Sequence, residues 1–217
     1  MADHSPLPAD EIRAIVRRVT QGVLEADLST DAADPGTRMH LSDSTAVETG
    51  GRPGDGSASA GIAIGADHGG FALKQDLAGK LAVAGHRVVD CGTDSPHPVD
   101  YPDVAHAVAR LVAEGAVGAG IIIDGAGIGS AMVANKVPGV RAALCYDLST
   151  ARNSREHNHA NVMTLGAGLT GPALAWQIVE EWLSVSWGPD RHARRVAMID
   201  DFEHRYSRLL EPSRGGA

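Results

Sequence analysis

Aromatic residues are scarce in this 217-residue chain, and none of the three Trp, three Tyr and two Phe precedes Phe71. A packed core must therefore lie downstream. The Gly/Ser/Asp/Thr-rich stretch 28–60 offers only scattered aliphatics, too little apolar area to offset its ordering entropy, and is expected to be a disordered linker. Cysteine is nearly absent: Cys91 and Cys145 each sit among apolar residues of an expected strand, which favours reduced buried thiols over a disulfide framework. Basic residues are outnumbered 19 to 27 by acidic ones, giving a net charge of −8 and a pI near 5.6. With no basic stripe to neutralise phosphates, nucleic acid is not an expected partner. No apolar run approaches the roughly 18 residues needed to span a bilayer, and the first residues lack a secretory hydrophobic segment, so a cytoplasmic protein without membrane contact is expected. His157-Asn158-His159 suggests a metal pair, but no third ligand stands at recognisable spacing, and no metal is expected.

What is present is a regular alternation from Gly61 onward. Strands are expected at Ile62–Ala66, Arg87–Cys91, Ala119–Ile123, Val140–Leu144 and Val162–Leu165. Helices are expected near Phe71–Ala84, Tyr101–Ala113, Ser130–Lys136, Ser149–Glu156 and Gly171–Ser184, with a last one over Arg191–Leu210 packed outside the sheet or on a partner. Five successive βα units with right-handed crossovers make a parallel sheet covered on both faces, with ligands at the carboxyl ends of the strands. The domains so defined are 1–27, 28–60 and 61–217.

The stretch Ile121-Ile122-Ile123-Asp124-Gly125-Ala126-Gly127-Ile128-Gly129 is a β-branched run ending in an acid and alternating glycines, a strand, a tight turn and a helix start. Free amides and the positive end of a helix dipole suit an anion there, although the same glycines also serve a plain strand-to-helix connection. Asp67-His68-Gly69-Gly70 follows the first strand and Ser154-Arg155-Glu156-His157-Asn158 closes the fourth helix, so the chemistry is expected to converge on one edge of the sheet. Taken singly, His68 reads as a capping or surface histidine and His157 as a helix terminus interacting with the dipole.

At the other end of the chain, Ile12, Ile15, Val16, Val19, Val23 and Leu24 recur at helical spacing after the acidic start Ala9-Asp10-Glu11. A helix this short needs a partner surface. The bland option is docking on its own domain or on a second copy; a helix plus linker ahead of an enzyme also resembles the encapsulation peptides of bacterial microcompartments, with a shell protein as the partner of residues 9–25 and a location inside the compartment.

From Gly61 to Asp201 the chain carries, in order, Gly65-Ala66-Asp67-His68-Gly69-Gly70-Phe71-Ala72-Leu73-Lys74, Asp100-Tyr101-Pro102, Gly127-Ile128-Gly129, Ala134-Asn135-Lys136, Gly139-Val140-Arg141, Ser154-Arg155-Glu156-His157-Asn158 and Arg191-His192-Ala193-Arg194-Arg195. In these motifs it resembles the ribose-5-phosphate isomerase B and galactose-6-phosphate isomerase family. The resemblance implies a Rossmann-like three-layer α/β/α sandwich and a metal-free, cofactor-free aldose–ketose isomerase of a phosphorylated sugar. It also implies a homo-oligomer, dimer or tetramer, with shared sites. It assigns ring opening to His157 assisted by Asp67, the enediolate oxygens to Asn158 and the turn amides around Gly125, Gly127 and Gly129, and phosphate to His68, Arg191 and Arg195; Tyr101 and Asn135 fall within its substrate-binding motifs. Alone, the arginines would read as a solvated helix face.

Three positions depart from the family pattern: Asp124 stands in place of a base cysteine, Ala126 in place of a threonine, and Gly168 in place of an arginine. Asp124 is the expected proton-transfer base if burial raises its pKa, but the adjacent helix start pulls the other way, and the sequence leaves that contest open. The competing reading is a non-catalytic relative kept as a ligand-binding or assembly module.

Overall fold

In a computed structural model, residues 61–210 are described. The expected helix at 9–25 and the linker 28–60 lie outside them. Five strands, β1 (Ile62–Ala66), β2 (Val88–Asp90), β3 (Ala119–Asp124), β4 (Ala142–Leu144) and β5 (Val162–Gly166), form one sheet in the order β2-β1-β3-β5-β4. Every pairing is parallel. The helices are α1 (Phe71–Val83), α2 (Tyr101–Ala113), α3 (Ile128–Ala134), α4 (Leu148–Glu156), α5 (Pro172–Ser184) and α6 (Asp190–Leu210).

β3 is central because all six of its residues are buried and both of its edges are paired. Its alternation divides the core in two. Ile121 and Ile123, with Ile62, Ile64, Met163 and Leu165, face the layer containing Leu73, Leu77 and Leu81 of α1 and Ile178 and Trp182 of α5. On the opposite face the strands carry glycine: a Cβ at Gly65 would lie 2.7 Å from Val104 and one at Gly120 2.8 Å from Val108, so the missing side chains let α2 settle directly on the sheet. The most deeply buried charge among the described residues is Lys74, 1% exposed, which donates to both carboxylate oxygens of Asp90 at 2.8 and 2.6 Å and to the Thr93 carbonyl at 2.8 Å. This pair ties α1 to the loop that leaves β2.

α6 lies against the β4 edge of its own chain. Val196 and His192 are buried, Arg141 pairs with Asp200 at 3.2 Å, and the Gly139 amide donates to Glu203 at 2.8 Å. Met198, Ile199, Phe202 and Tyr206 of the same helix stay about half exposed.

Candidate active site

At the carboxyl ends of β1 and β3 two loops meet. The first is a turn in which the Gly70 amide donates to Asp67 Oδ1 at 3.0 Å. His68 is turned toward the approach to α2, its Nδ1 accepting from the Val99 amide at 3.4 Å. The second is the turn after β3, where Gly127 adopts φ 77° and caps α3. A Cβ at Gly127 would lie 2.5 Å from Leu144 Cδ1 and 3.0 Å from the Leu165 carbonyl carbon, so glycine is required there on both counts. Above Gly125 the space is open, whereas Gly129 is roofed by the Tyr101 ring, to which a Cβ would approach within 2.6 Å. Gly125, Gly129 and Tyr101 therefore shape a shallow cradle beside Asp67 and His68. The Gly168 amide closes it from the β5 side by donating to the Gly125 carbonyl at 3.0 Å.

Asp124 does not open into that cradle. It is 5% exposed, and its carboxylate is filled from within the turn. Oδ1 accepts from the amides of Ala126, at 2.8 Å, and Gly127; Oδ2 accepts from the Ser130 amide at 3.0 Å and the Ser130 hydroxyl at 2.6 Å. Burial, the largest single influence, would raise its pKa, but the Ser130 hydroxyl and the three amides together outweigh it and hold the group below its ordinary value. Two expectations are corrected here. Asp124 is a weakly basic internal anion with its acceptor sites taken, not a base poised toward a substrate. Equally, the amides of Ala126, Gly127 and Ser130 are spent on Asp124 and do not await an oxyanion. The turn amides of Gly125, Ile128 and Gly129 make no hydrogen bond among the described residues.

Asn135 is corrected as well. Its Nδ2 donates to the carbonyls of Ala131 and Ala142 and its Oδ1 accepts from the Ala142 amide, all at 2.9 Å, so both donors of this side chain are spent on stitching α3 to β4.

His157 and Asn158 sit elsewhere. α4 runs back antiparallel to the strands, and Asn161, just beyond it, donates to the Arg141 carbonyl at the start of β4. Val162 pairs with Gly120 whereas Asp124 pairs with Gly166. Asp124 thus marks the carboxyl edge and His157 the amino edge, at least the length of strand from Gly120 to Asp124 apart, about 13 Å at the usual rise of a parallel strand. Convergence on one edge, as expected from the sequence, does not hold within one chain. A second polar cluster surrounds His157 instead. Asn158 Nδ2 donates to Asn153 Oδ1 at 3.3 Å, which turns the Asn153 amide nitrogen toward His157 Nδ1 at 3.0 Å and leaves the ring proton on Nε2. Nε2 stands 3.8 Å from Glu156 Oε1. The first turns of α6 bring exposed Arg191 and Arg195 beside the same group through His192.

Sequence reasoning missed Ser130, Asn153 and Glu156. The first two carried a local signal: Ser130 stands three residues into the glycine turn, and Asn153 lies one helical turn before His157. Among the described residues there is no group of three or more His, Cys, Asp or Glu suited to a metal ion.

A model of the family described as Ribose/Galactose Isomerase matches residues 62–199. Ribose-5-phosphate isomerase B of Escherichia coli is 42% identical over 144 residues, spanning 66% of this chain and 97% of that protein. D-erythrulose-4-phosphate isomerase of Pectobacterium atrosepticum is 40% identical over 146 residues, 66% of this chain and 95% of its own length. Among solved structures, ribose-5-phosphate isomerase B of Clostridium thermocellum superposes with a TM-score of 0.66 at 46% identity, over 67% of this chain and 98% of that one.

Proposed function

This chain belongs to the ribose/galactose isomerase family, and from that premise we propose that it interconverts a phosphorylated aldose and ketose of four or five carbons through an enediolate, at a site assembled from two copies of the chain. The observation that carries the reading is the separation of the polar residues into two half-sites at opposite edges of one sheet. The carboxyl edge offers Asp67, His68 and the open face of Gly125; the amino edge offers His157, Asn158, Arg191 and Arg195. Each half lacks what the other has. Exposed apolar side chains beside the cradle, Tyr101, Ile128 and Met132, supply a surface on which a second copy can bring its amino edge to this carboxyl edge.

In this arrangement the two guanidinium groups bind the phosphate, which suits their planar donor geometry. As the sugar opens, Asp67 takes the proton of the anomeric hydroxyl and passes it to the departing ring oxygen, which the Nε2–H of His157 holds by a hydrogen bond. Proton transfer between C1 and C2 falls to Asp67, whose Oδ2 makes no hydrogen bond among the described residues, while Asp124 holds the turn in shape. The amides of Gly125, Ile128 and Gly129 and the side chain of Asn158 face the developing enediolate oxygens. Kinetics of the full chain with ribose 5-phosphate and erythrulose 4-phosphate test the reading. Asp67→Asn is expected to lower kcat by about a hundredfold or more, the ordinary weight of a general base. Turnover of neither sugar phosphate by the unaltered chain would favour the non-catalytic relative, and an unimpaired Asp67→Asn would remove Asp67 as the base.

We further read residues 9–25 as a docking helix for a microcompartment shell protein. Its support is the apolar spacing from Ile12 to Leu24, together with the relatives named above, which are spanned almost end to end by two thirds of this chain and leave the first 60 residues as an addition. Deleting 1–60 is expected to leave turnover intact and to abolish co-sedimentation with shell particles; loss of folding instead would support docking on the chain's own domain.

A further inference from the structure

Around His157 the chain builds a setting that ring opening alone does not explain. The His192 ring lies flat on the His157 ring, centroids 4.3 Å apart and planes within 6°. His192 is 5% exposed, and its Nε2 has no hydrogen-bond partner although it is buried. A buried imidazole nitrogen without a partner is costly, so the ring is held there by something other than its own polar satisfaction.

What holds it is the segment between α5 and α6, wrapped across the end of α4. Arg155 Nε donates to the Val185 carbonyl at 3.3 Å, and the Gly188 amide donates to the Glu156 carbonyl at 2.9 Å. His159 Nε2 meets the Gly188 carbonyl at 3.2 Å, and the His159 ring stacks on Trp187 with centroids 4.8 Å apart. At Gly188 a Cβ would lie 2.2 Å from the Glu156 carbonyl oxygen and 3.0 Å from His192 Cδ2, so this contact is possible only with glycine. The His192 amide then donates to the Pro189 carbonyl at 2.8 Å, which starts α6 with its imidazole over His157.

We propose that His192 is a positioning residue for ring opening, clamping the His157 imidazole between its own flat ring and the Asn153 amide so that Nε2–H is presented in one tautomer and one orientation. Burial, then the neighbouring Arg191 and His157, lower the His192 pKa, with Glu156 acting against them and Arg195 with them. Two stacked imidazolium ions would repel each other, so a lowered pKa at His192 suits the stack.

The inference rests on the assignment of ring opening to His157, and the test separates the two. Erythrulose 4-phosphate has no hydroxyl placed to form a five-membered ring and needs no opening; ribose 5-phosphate does. In the full chain, His192→Ala is expected to lower kcat on ribose 5-phosphate about tenfold with KM within twofold, to leave erythrulose 4-phosphate turnover within twofold, and to be rescued to within threefold by His192→Phe, which restores a flat ring. Independently of turnover, nitrogen chemical shifts of labelled His157 should report a single tautomer in the unaltered chain and in His192→Phe but a mixture in His192→Ala. An unchanged tautomer in His192→Ala, an equal loss on both substrates, or no rescue by phenylalanine would overturn the positioning role. His157→Asn retaining full ribose 5-phosphate turnover would instead overturn the ring-opening assignment itself.

Discussion

Replacing Asp124 by asparagine removes one oxygen from a carboxylate on which four donors converge. The amide retains one oxygen for the Ala126 and Gly127 amides, but its NH2 then faces the Ser130 amide, donor against donor, inside a turn where Ser130 is fully buried. The Ser130 hydroxyl can rotate to accept; its backbone N–H cannot. An orphaned buried amide costs about 1–3 kcal/mol, and turning the remaining charge-assisted bonds into neutral ones adds about 1 kcal/mol, so Asp124→Asn should destabilise the domain by about 3 kcal/mol. The native carboxyl is held below its unfolded value, so its stabilisation is fully present above an unfolded pKa of about 3.9 and is lost as pH falls through the lower folded pKa. The gap between the unaltered chain and the variant should therefore be flat from pH 7 down to about pH 5 and shrink below about pH 4. Urea denaturation at matched protein concentration measures it: with an m-value on the order of 2 kcal/mol/M, the midpoint should fall by about 1.5 M. A gap under about 0.5 kcal/mol, the ordinary spread of a surface change, or one that widens on acidification, would refute the account of Asp124 as the internal anion of this turn.

The two glycines of the turn should part company. Gly127→Ala, at positive φ and within 2.5 Å of Leu144, is expected to cost about 3 kcal/mol or more in the same denaturation assay, whereas Gly125→Ala, facing open space, should keep its stability within about 0.5 kcal/mol and raise KM. The Cys91 and Cys145 thiols, pushed up by burial to about 12 and about 11, should resist a thiol-specific reagent at pH 8 until the chain is unfolded; rapid native labelling would contradict their burial.

Much of the fold was legible because the signals were local and strong. The run from Ile121 to Ile123 is apolar on both faces, as only an interior strand can be, and Tyr101–Ala113 forms a helix over the residues its spacing marks out. The edge strands β2 and β4 proved shorter than expected; at β4, Val140 and Arg141 are drawn into loop bonds such as that from the Arg141 amide to Asn161 Oδ1. The site was less legible. Asp124 faced two opposing influences, and the balance was struck by Ser130, whose hydroxyl reaches back only once the glycine turn has folded. His157 differs: a residue that follows a helix and precedes a strand lies at the amino edge of a parallel sheet, so the alternation already implied its separation from Asp67, which the order of polar motifs along the chain does not display. Asn135 misled because a motif match marks a position and not what its side chain is bonded to.

The shared site is tested most directly by co-expressing an Asp67→Asn chain with a His157→Asn chain. Each alone is expected to be inactive on ribose 5-phosphate; random pairing makes half the dimers mixed, and each mixed dimer restores one of its two sites, so about a quarter of the unaltered activity should return. No recovery in demonstrably mixed dimers would mean that both residues serve the same chain, and the division of the site between two copies would be wrong.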